Sequence, residues 1–374
     1  MKQVLFVGLD VDDNAFHGCA FFKESGEVIE FKTRPHIDGL YKKLQEISGK
    51  FPDHELRCCY EATYIGFALA RDLGKFNLKC DVIAPGSIPR VHGSQVKTDR
   101  IDAAKLAQFH ANGILSTVTI PDETLEKDRD LLRSREFVLR ELSEVRTHIQ
   151  SLLRRNGRSF KSETGAKSHW TKTHLFWIDR VINESSGSFK LNLALLIQQL
   201  KWHEQTLKKY DEAVEQLATS PTYEKKVQAL TAYRGIRNTF AMVMITEIGP
   251  VERFKHPSQL VSWMGLDIRE YSSGGNHRRY GITRHGNRYL RTAFVEANQR
   301  SHQCSFAGKD VNDRRKKLPP HFVAIAQRCQ ARLYRKGYRL RMAGKHVNKI
   351  KVACAREMVG FVWESLRAVN QVGQ

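Results

Sequence analysis

Apolar positions divide the chain into stretches of different period. Over residues 2–112 strand and helix patterns alternate. Val4-Leu5-Phe6-Val7-Gly8-Leu9-Asp10 is a short apolar run of the kind buried in a sheet, and Gly18-Cys19-Ala20-Phe21-Phe22 followed by Val28-Ile29-Glu30-Phe31 around Ser25-Gly26 predicts a hairpin. A helix at 39–47, a strand at 56–60, a helix at 65–73 and a strand at 79–83 follow, which gives a mixed α/β sheet covered by helices. Thr98 then reads as the N-cap of a helix running to about His110.

The middle is helical. Leu131, Val138, Val145 and Leu152 recur every seven residues, with Leu142 and Ile149 in the alternate seam positions, which makes a coiled-coil stripe. A second stripe (Leu193, Leu196, Leu200, His203, Leu207, Tyr210, Val214, Leu217) keeps three-four spacing with charges between. Residues 156–188, rich in Ser, Gly, Lys and Arg, predict a loop between them. The stripes suit each other as an antiparallel hairpin, or a second protomer; self-association is favoured because a lone hairpin has little core of its own. Residues 230–266 read as two or three short helices joined by Gly235-Ile236 and Ile248-Gly249-Pro250, similar to the helix-hairpin-helix whose loop amides contact DNA phosphates. A Gly/Ser/Arg loop at 271–286, a helix from near Asn287 and a basic tail at 309–351 complete the pattern. The expected fold class is α/β plus all-α: an α/β domain at 1–120, a coiled-coil helical region for oligomerisation at 121–220, and a mainly helical domain at 221–374.

Charge narrows the partners. Lys and Arg total 61 against 40 Asp and Glu, a formal +21, which points to a polyanion, first of all nucleic acid. No apolar run of spanning length and no N-terminal signal is visible, so no membrane role is expected and the expected location is cytoplasmic, on the nucleoid. The seven cysteines (Cys19, Cys58, Cys59, Cys80, Cys304, Cys329, Cys354) form no C-x-x-C pair, and the 15 histidines form no H-E-x-x-H, which argues against a zinc or redox centre. The absence of a Walker-type glycine loop argues against a nucleotide cofactor.

Four carboxylates carry the candidate chemistry. Asp10 closes the first strand, Glu61 closes a later one, and Asp99 and Asp102, three apart, share one face of a helix's first turn. Hard oxygen ligands at neighbouring strand ends, met by two more from a helix, are what a magnesium pair needs to activate an attacking oxygen and stabilise a leaving one. Each has a plain explanation taken singly: an Asp in a first turn is favoured by the helix dipole, and a Glu at a strand end is unremarkable. Asp12 and Asp13 crowd the same strand end as rivals of Asp10, which is preferred because it closes the apolar run beside Gly8.

A second candidate lies between Gly265 and Arg291. A serine among small, flexible residues can present its hydroxyl to a phosphodiester, with Arg269, Arg278, Arg279, Arg284, Asn287 and Arg291 available to the phosphate and His277 and His285 the bases nearby in sequence. On the residues alone such a serine is ordinarily a turn residue. In the tail, Arg314, Arg315, Lys316 and Lys317, then Arg328, Arg332, Arg335, Lys336, Arg339 and Arg341, are interleaved with Phe322, Tyr334 and Tyr338. That suits phosphate contact with base stacking, or a solvated helix surface over core aromatics.

Val7-Gly8-Leu9-Asp10, Tyr60-Glu61-Ala62-Thr63 and Lys97-Thr98-Asp99-Arg100-Ile101-Asp102-Ala103 resemble the three signatures of the DEDD-type insertion-sequence transposases (the insertion sequence one-ten family), relatives of the Piv DNA invertase, and the resemblance spans nearly the whole chain. It implies a RuvC-like, RNase H-like N-terminal domain in which Asp10, Glu61, Asp99 and Asp102 hold Mg2+ or Mn2+. It also implies a C-terminal domain whose serine, preceding glycine, forms a covalent phosphoserine link to DNA. By position that serine is Ser273, with Ser272 beside it as a rival; Asp267-Ile268 replace the Pro usual after Gly-Leu. Some members use a structured bridge RNA as guide. The resemblance therefore implies a DNA transposase or recombinase acting on DNA and a noncoding guide RNA, and the coiled-coil stripes add the expectation of a dimer or tetramer. The rivals are a RuvC-like junction endonuclease or a DNA invertase without an RNA guide, and a noncatalytic nucleic-acid-binding scaffold.

Overall fold

Strand β1 (Gln3–Val11) is the spine of the first of two units, Met1–Pro121 and Asp122–Gln374, into which the chain divides in a computed structural model describing residues 3–89, 99–273 and 276–371. It pairs antiparallel with β2 (Phe16–Phe22), which pairs antiparallel with β3 (Val28–Thr33). After α1 (Ile37–Lys50), β4 (His54–Glu61) joins β1 in parallel. Beyond α2 (Ala68–Lys75), β5 (Lys79–Ile83) joins β4 in parallel, and α3 (Asp99–Ala111) follows. The sheet order is β3-β2-β1-β4-β5. The expected strands and helices are all present with shifted ends, while Thr98, the expected cap of α3, lies outside the described residues.

Alternation along β1 decides which layer each side chain enters. Leu5, Val7 and Leu9 point to one face and are buried with Leu56, Cys58 and Tyr60 of β4 against Leu40 and Leu44 of α1 and Leu69 and Leu73 of α2. Gly8 points to the other face, where α3 lies so close that an added Cβ would come within 2.2 Å of the Ala103 carbonyl oxygen and 2.5 Å of the Ala107 nitrogen. Its register partner Cys59 donates its thiol to the Leu106 carbonyl of α3 at 3.7 Å.

The second unit opens with α4 (Glu123–Arg155), whose N-cap Asp122 accepts from the Leu125 amide at 2.8 Å. Then come α5 (Phe160–Thr164), α6 (Lys172–Glu184) and α7 (Gly187–Ala218). Arg135 meets Asp211 at 2.6 Å and Arg146 meets Glu204 at 2.8 Å, so α4 and α7 run antiparallel. Leu142, Val145, Ile149 and Leu152 are buried together with Leu193 and Leu200. The two stripes are thus taken up by each other within one chain, which corrects the preference for a second protomer at these seams. The hairpin is not alone: Leu132, Val214 and Ala218 at its base belong to the core of the following helices, and α5 and α6 close its tip. Residues 156–188, expected as a loop, contain both of those helices, because His174, Trp177, Ile178 and Val181 form a buried three-four stripe inside a polar segment.

The remainder is α8 (Glu224–Thr231), α9 (Asn238–Ile248), α10 (Pro257–Trp263), β6 (Ile268–Ser273), β7 (Asn276–Ile282), α11 (Arg288–Ala297), α12 (Lys309–Arg315), α13 (Pro320–Met342) and α14 (Val347–Gln371). The Gly/Ser/Arg loop expected at 271–286 is in large part the antiparallel β6–β7 ribbon. Gly235, at φ +84°, makes the α8–α9 turn, where an added Cβ would lie 2.1 Å from the Ala297 carbonyl oxygen. Tyr233 anchors α14 by donating to the Phe361 carbonyl at 2.8 Å. Among the described residues no helix is long and apolar enough to cross a membrane.

Candidate active site

The geometry around Gly8 extends to the carboxylates. Two residues on, alternation returns Asp10 to the face covered by α3. Gly8 pairs with Cys59 and Leu9 with Tyr60, so the next step of the register brings Glu61 abreast of Asp10. The chain enters α3 at Asp99, one turn before Ala103, and Asp102 directly precedes Ala103, whose backbone with that of Ala107 touches Gly8. Burial, followed by the charges of Asp99, Asp102 and Asp12, raises the Asp10 carboxyl above its usual range, opposed only weakly by His17. His17, the cross-strand partner of Asp10, lies 3.7 Å from Asp99, and Lys105 lies 3.6 Å from Asp102.

The rivals on the same strand end have other occupations. Asp12 accepts from the backbone amides of Asn14 at 2.6 Å and Ala15 at 2.8 Å, the turn between β1 and β2, and these bonds lower its carboxyl. Asp13 lies near enough to Tyr64 to raise its hydroxyl, second to desolvation. Among the described residues no three His, Cys, Asp or Glu side chains already stand together at metal-holding distance. The convergence on Asp10 is one of charge, and an all-oxygen, mutually repelling set of this kind suits a hard divalent cation.

In the second unit the β6–β7 ribbon rises from a tightly fastened root. Gly265 (φ +71°) and Gly286 (φ +125°) bring two chain segments together so that added Cβ atoms would lie 2.4 Å from the His285 oxygen and 2.1 Å from the Trp263 oxygen. Thr283 donates its amide to the Asp267 carbonyl at 2.8 Å and Arg284 to that of Gly265 at 3.1 Å. Arg356 of α14 holds the Asp267 carboxylate at 3.3 Å. Ser273 is the last residue of β6, paired with Asn276; the side chains of Ser272, Ser273 and His277, and the intervening Gly274 and Gly275, lie outside the described residues.

The predicted phosphate contacts divide into two groups. Arg269, Arg278, Arg284 and Lys317 are exposed, Arg279 is exposed in a 3.0 Å pair with Glu270, and Lys316 pairs with Asp313 at 2.9 Å. Others serve the fold. Arg314 donates to the Thr231 and Ile236 carbonyls, both at 2.9 Å, and Arg315 to that of Ala232 at 2.9 Å, satisfying the open end of α8. Arg291 donates to the Met264 and Gly286 carbonyls at 2.9 and 3.0 Å. Asn287 caps α11 by accepting from the Leu290 amide at 3.0 Å and donates to Glu247 at 2.6 Å. For these four, the backbone acceptors and Glu247 replace the phosphate as partner. Along the tail, Arg328 pairs with Glu364, and Arg332 and Lys336 both pair with Glu357. Phe322 is core, whereas Tyr338 is exposed.

Sequence reading missed Glu247, whose carboxylate is 2% exposed and is forked by Arg133 of α4 at 2.8 and 3.0 Å while bonding Asn287. It ties the long hairpin to the helix that follows the serine ribbon. Its place in an apolar helix was a signal, since a buried carboxylate demands a fixed cation.

A basic chain with acidic side chains gathered at strand ends is of the class that transfers phosphoryl groups on nucleic acid. Comparison with known proteins makes the assignment particular. Residues 227–310 match the transposase IS116/IS110/IS902 family, and residues 7–156 match a DEDD transposase domain of the IS110 group. The chain is 30% identical over 371 residues, 98% of its length and 89% of the relative's, to y4qE of Sinorhizobium fredii, a protein carried under a transposase name. It is 27% identical over 351 residues to the transposase for insertion sequence element IS1533 of Leptospira borgpetersenii, covering 90% of this chain and 96% of that one. It is 24% identical over 305 residues to the transposase for insertion sequence element IS1111A of Coxiella burnetii, covering 79% and 77%. The chain belongs to the IS110/IS116/IS902 transposase family. It is a DNA transposase or recombinase, binds DNA and, through its DEDD domain, uses a divalent cation.

Proposed function

We propose that this transposase cuts and rejoins DNA through Ser273 in its C-terminal part, assisted by Mg2+ (or Mn2+) held by Asp10, Glu61, Asp99 and Asp102, and guided by a bridge RNA. The observation that carries the metal half is the raised Asp10 carboxyl, with Asp99 and Asp102 among its causes and Glu61 abreast in the register. The sheet order β3-β2-β1-β4-β5, two strand pairs antiparallel and two parallel, supports a RuvC-like, RNase H-like reading of residues 1–120. The helical stretch 121–220 is then the coiled-coil region and 221–374 the serine domain, working as a dimer or tetramer on nucleoid DNA.

When bound, the cation would supply charge neutralisation to the phosphoryl transfer. The four carboxylates would hold it, and its charge would offset the burial and the neighbouring carboxylates that penalise the Asp10 charge. Ser273 Oγ loses its proton as it bonds to phosphorus, and one DNA oxygen leaves as a hydroxyl. Attack by a DNA hydroxyl on that phosphoserine reverses the exchange, so bond energy is conserved with no nucleotide cofactor. The exposed Arg269, Arg278 and Arg284 on and beside the ribbon are the phosphate contacts, with Lys316 and Lys317 further along. The protein delegates base reading to a guide RNA, as suits a chain whose exposed contacts are cationic.

The test is a denaturing gel of purified protein with Mg2+, element-end DNA and the adjacent noncoding RNA. A protein–DNA adduct in the wild type that vanishes in Ser273→Ala and Asp102→Ala supports the proposal. Adducts retained in Ser273→Ala and lost in Ser272→Ala move the nucleophile by one residue. Cleavage without an adduct, unaffected by either serine change, overturns the serine mechanism in favour of a junction nuclease.

A further inference from the structure

At the tip of the α4–α7 hairpin, α5 and α6 fold over the end of α4 and leave a cavity of about 200 Å³. Its walls combine four rings, Phe160, His169, His174 and Trp177, with Gln150, Leu153 and Ser159. Phe160 stands edge-on to His174 at 4.6 Å, His169 edge-on to His174 at 4.8 Å, and His174 is stacked on Trp177 at 5.7 Å. Its rim is cationic, formed by Arg154, Arg158 and Lys161. Arg158 is spent on Glu163 and Glu184, at 3.1 and 2.9 Å. Among the described residues Arg154 and Lys161 have no acidic partner, and both are exposed.

We propose that this cavity receives one unpaired nucleobase, with Arg154 and Lys161 on the phosphate next to it. Three observations converge. The space is smaller than a pocket for a drug-sized ligand, usually about 300–1,000 Å³, so it suits one planar ring rather than a whole nucleotide. Phe160, His174 and Trp177 are buried and packed on one another, which leaves the exposed His169 as the ring a base would stack on, with Gln150 and Ser159 beside it. The surrounding segment 154–172 holds six Lys or Arg (154, 155, 158, 161, 167, 172) against one acid, Glu163, so the ligand that reaches the cavity is an anion. The aromatic lining is also held in place: His174 Nδ1 accepts from the Trp170 amide at 3.0 Å, and Trp177 Nε1 donates to Glu163 at 3.0 Å. A simple basic surface would need none of this. The base comes from a single-stranded or bulged stretch of DNA or RNA; the chemistry is common to both.

The inference rests on the chain being a nucleic-acid enzyme and not on Ser273 or the carboxylates, so its failure is separable from theirs. Full-length protein is titrated with short single-stranded DNA and RNA oligonucleotides carrying one 2-aminopurine, and with the same oligonucleotides abasic at that position. Ultraviolet crosslinking followed by peptide mapping locates the base. The expected result is quenched 2-aminopurine, a crosslink within residues 160–177, and about tenfold weaker binding together with loss of that crosslink in Arg154→Ala/Lys161→Ala. His169→Ala is expected to lose the crosslink while keeping most of the phosphate-driven affinity. Both variants alter exposed positions, and thermal melts like those of the wild type verify that they fold. A crosslink with RNA alone or DNA alone identifies the source. Equal affinity for abasic and base-bearing strands, or crosslinks lying wholly outside 160–177, overturns the proposal.

Discussion

Asp10 is the residue at which the proposed metal site and the stability of the fold pull in opposite directions. Burial, then the charges of Asp99, Asp102 and Asp12, raises its carboxyl, and holding that charge there costs stability at neutral pH. Asp10→Asn is therefore expected to raise the melting temperature measured without divalent metal and to abolish strand transfer. Mg2+ should stabilise the wild type and leave Asp10→Asn nearly unmoved; a variant that melts lower than wild type in chelator contradicts this. Gly8 supplies the opposite case. Any side chain there meets the α3 backbone, so Gly8→Ala should cost at least about 1–3 kcal/mol, the usual range for overpacking, and reduce activity by pushing Asp99 and Asp102 away from the strand ends. Urea denaturation reads the first effect and strand transfer the second. The acidic residues themselves were legible in the sequence because each sits at an element's end. The roles of Arg314 and Arg291 were not. Sequence shows a cation but not the carbonyl that receives it, and Thr231 is 83 residues from Arg314 along the chain.

At the scale of elements, legibility followed periodicity. The strands of the first unit and the stripes of α4 and α7 were readable because one face of each is continuously apolar. The β6–β7 ribbon was not, because Arg269, Tyr271, Arg278 and Tyr280 are exposed and no side chain of these strands is fully buried among the described residues. Helix α6 was hidden by the polar residues around its short stripe, yet it makes a measurable prediction. Burial, helped by His169, lowers the His174 pKa to about 4, and the Trp170 amide needs its Nδ1 unprotonated. The unfolded chain, with a His pKa of about 6.5, takes up that proton first, so this contribution to stability is complete above about pH 6.5 and is lost progressively as pH falls to about 4. Chemical denaturation followed across that window should give a slope that flattens in His174→Gln. A slope unchanged by the substitution would assign the pH effect to other groups. Ile149, fully buried between α4 and α7, should cost about 2–5 kcal/mol as alanine in the same measurement.

At the scale of the molecule, two units with their own cores predict two separable behaviours. The sheet with α1, α2 and α3 has a core confined to residues of the first unit, and the helices from α4 onward have theirs. Residues 1–121 expressed alone should therefore give a cooperative thermal transition, and a calorimetric trace without one would show that this core needs the rest of the chain. The charge of +21 belongs to the whole chain but is unevenly available, since α14 answers much of the α13 charge with Glu357 and Glu364.

The root of the serine ribbon has a practical consequence. Gly265 and Gly286 hold two backbones face to face, with main-chain bonds from Thr283 and Arg284 closing the join. Such a join works like a tool socket: it fixes where a bit is seated and is indifferent to the bit. Length and composition can change beyond the Ile268–Ile282 pair, whose Ile282 packs on the core, whereas a single methyl at either glycine unseats whatever the ribbon carries. Ribbons exchanged among relatives at these two positions should keep the fold and carry their own behaviour with them, which makes this short segment the natural unit of swapping for engineering what the enzyme joins.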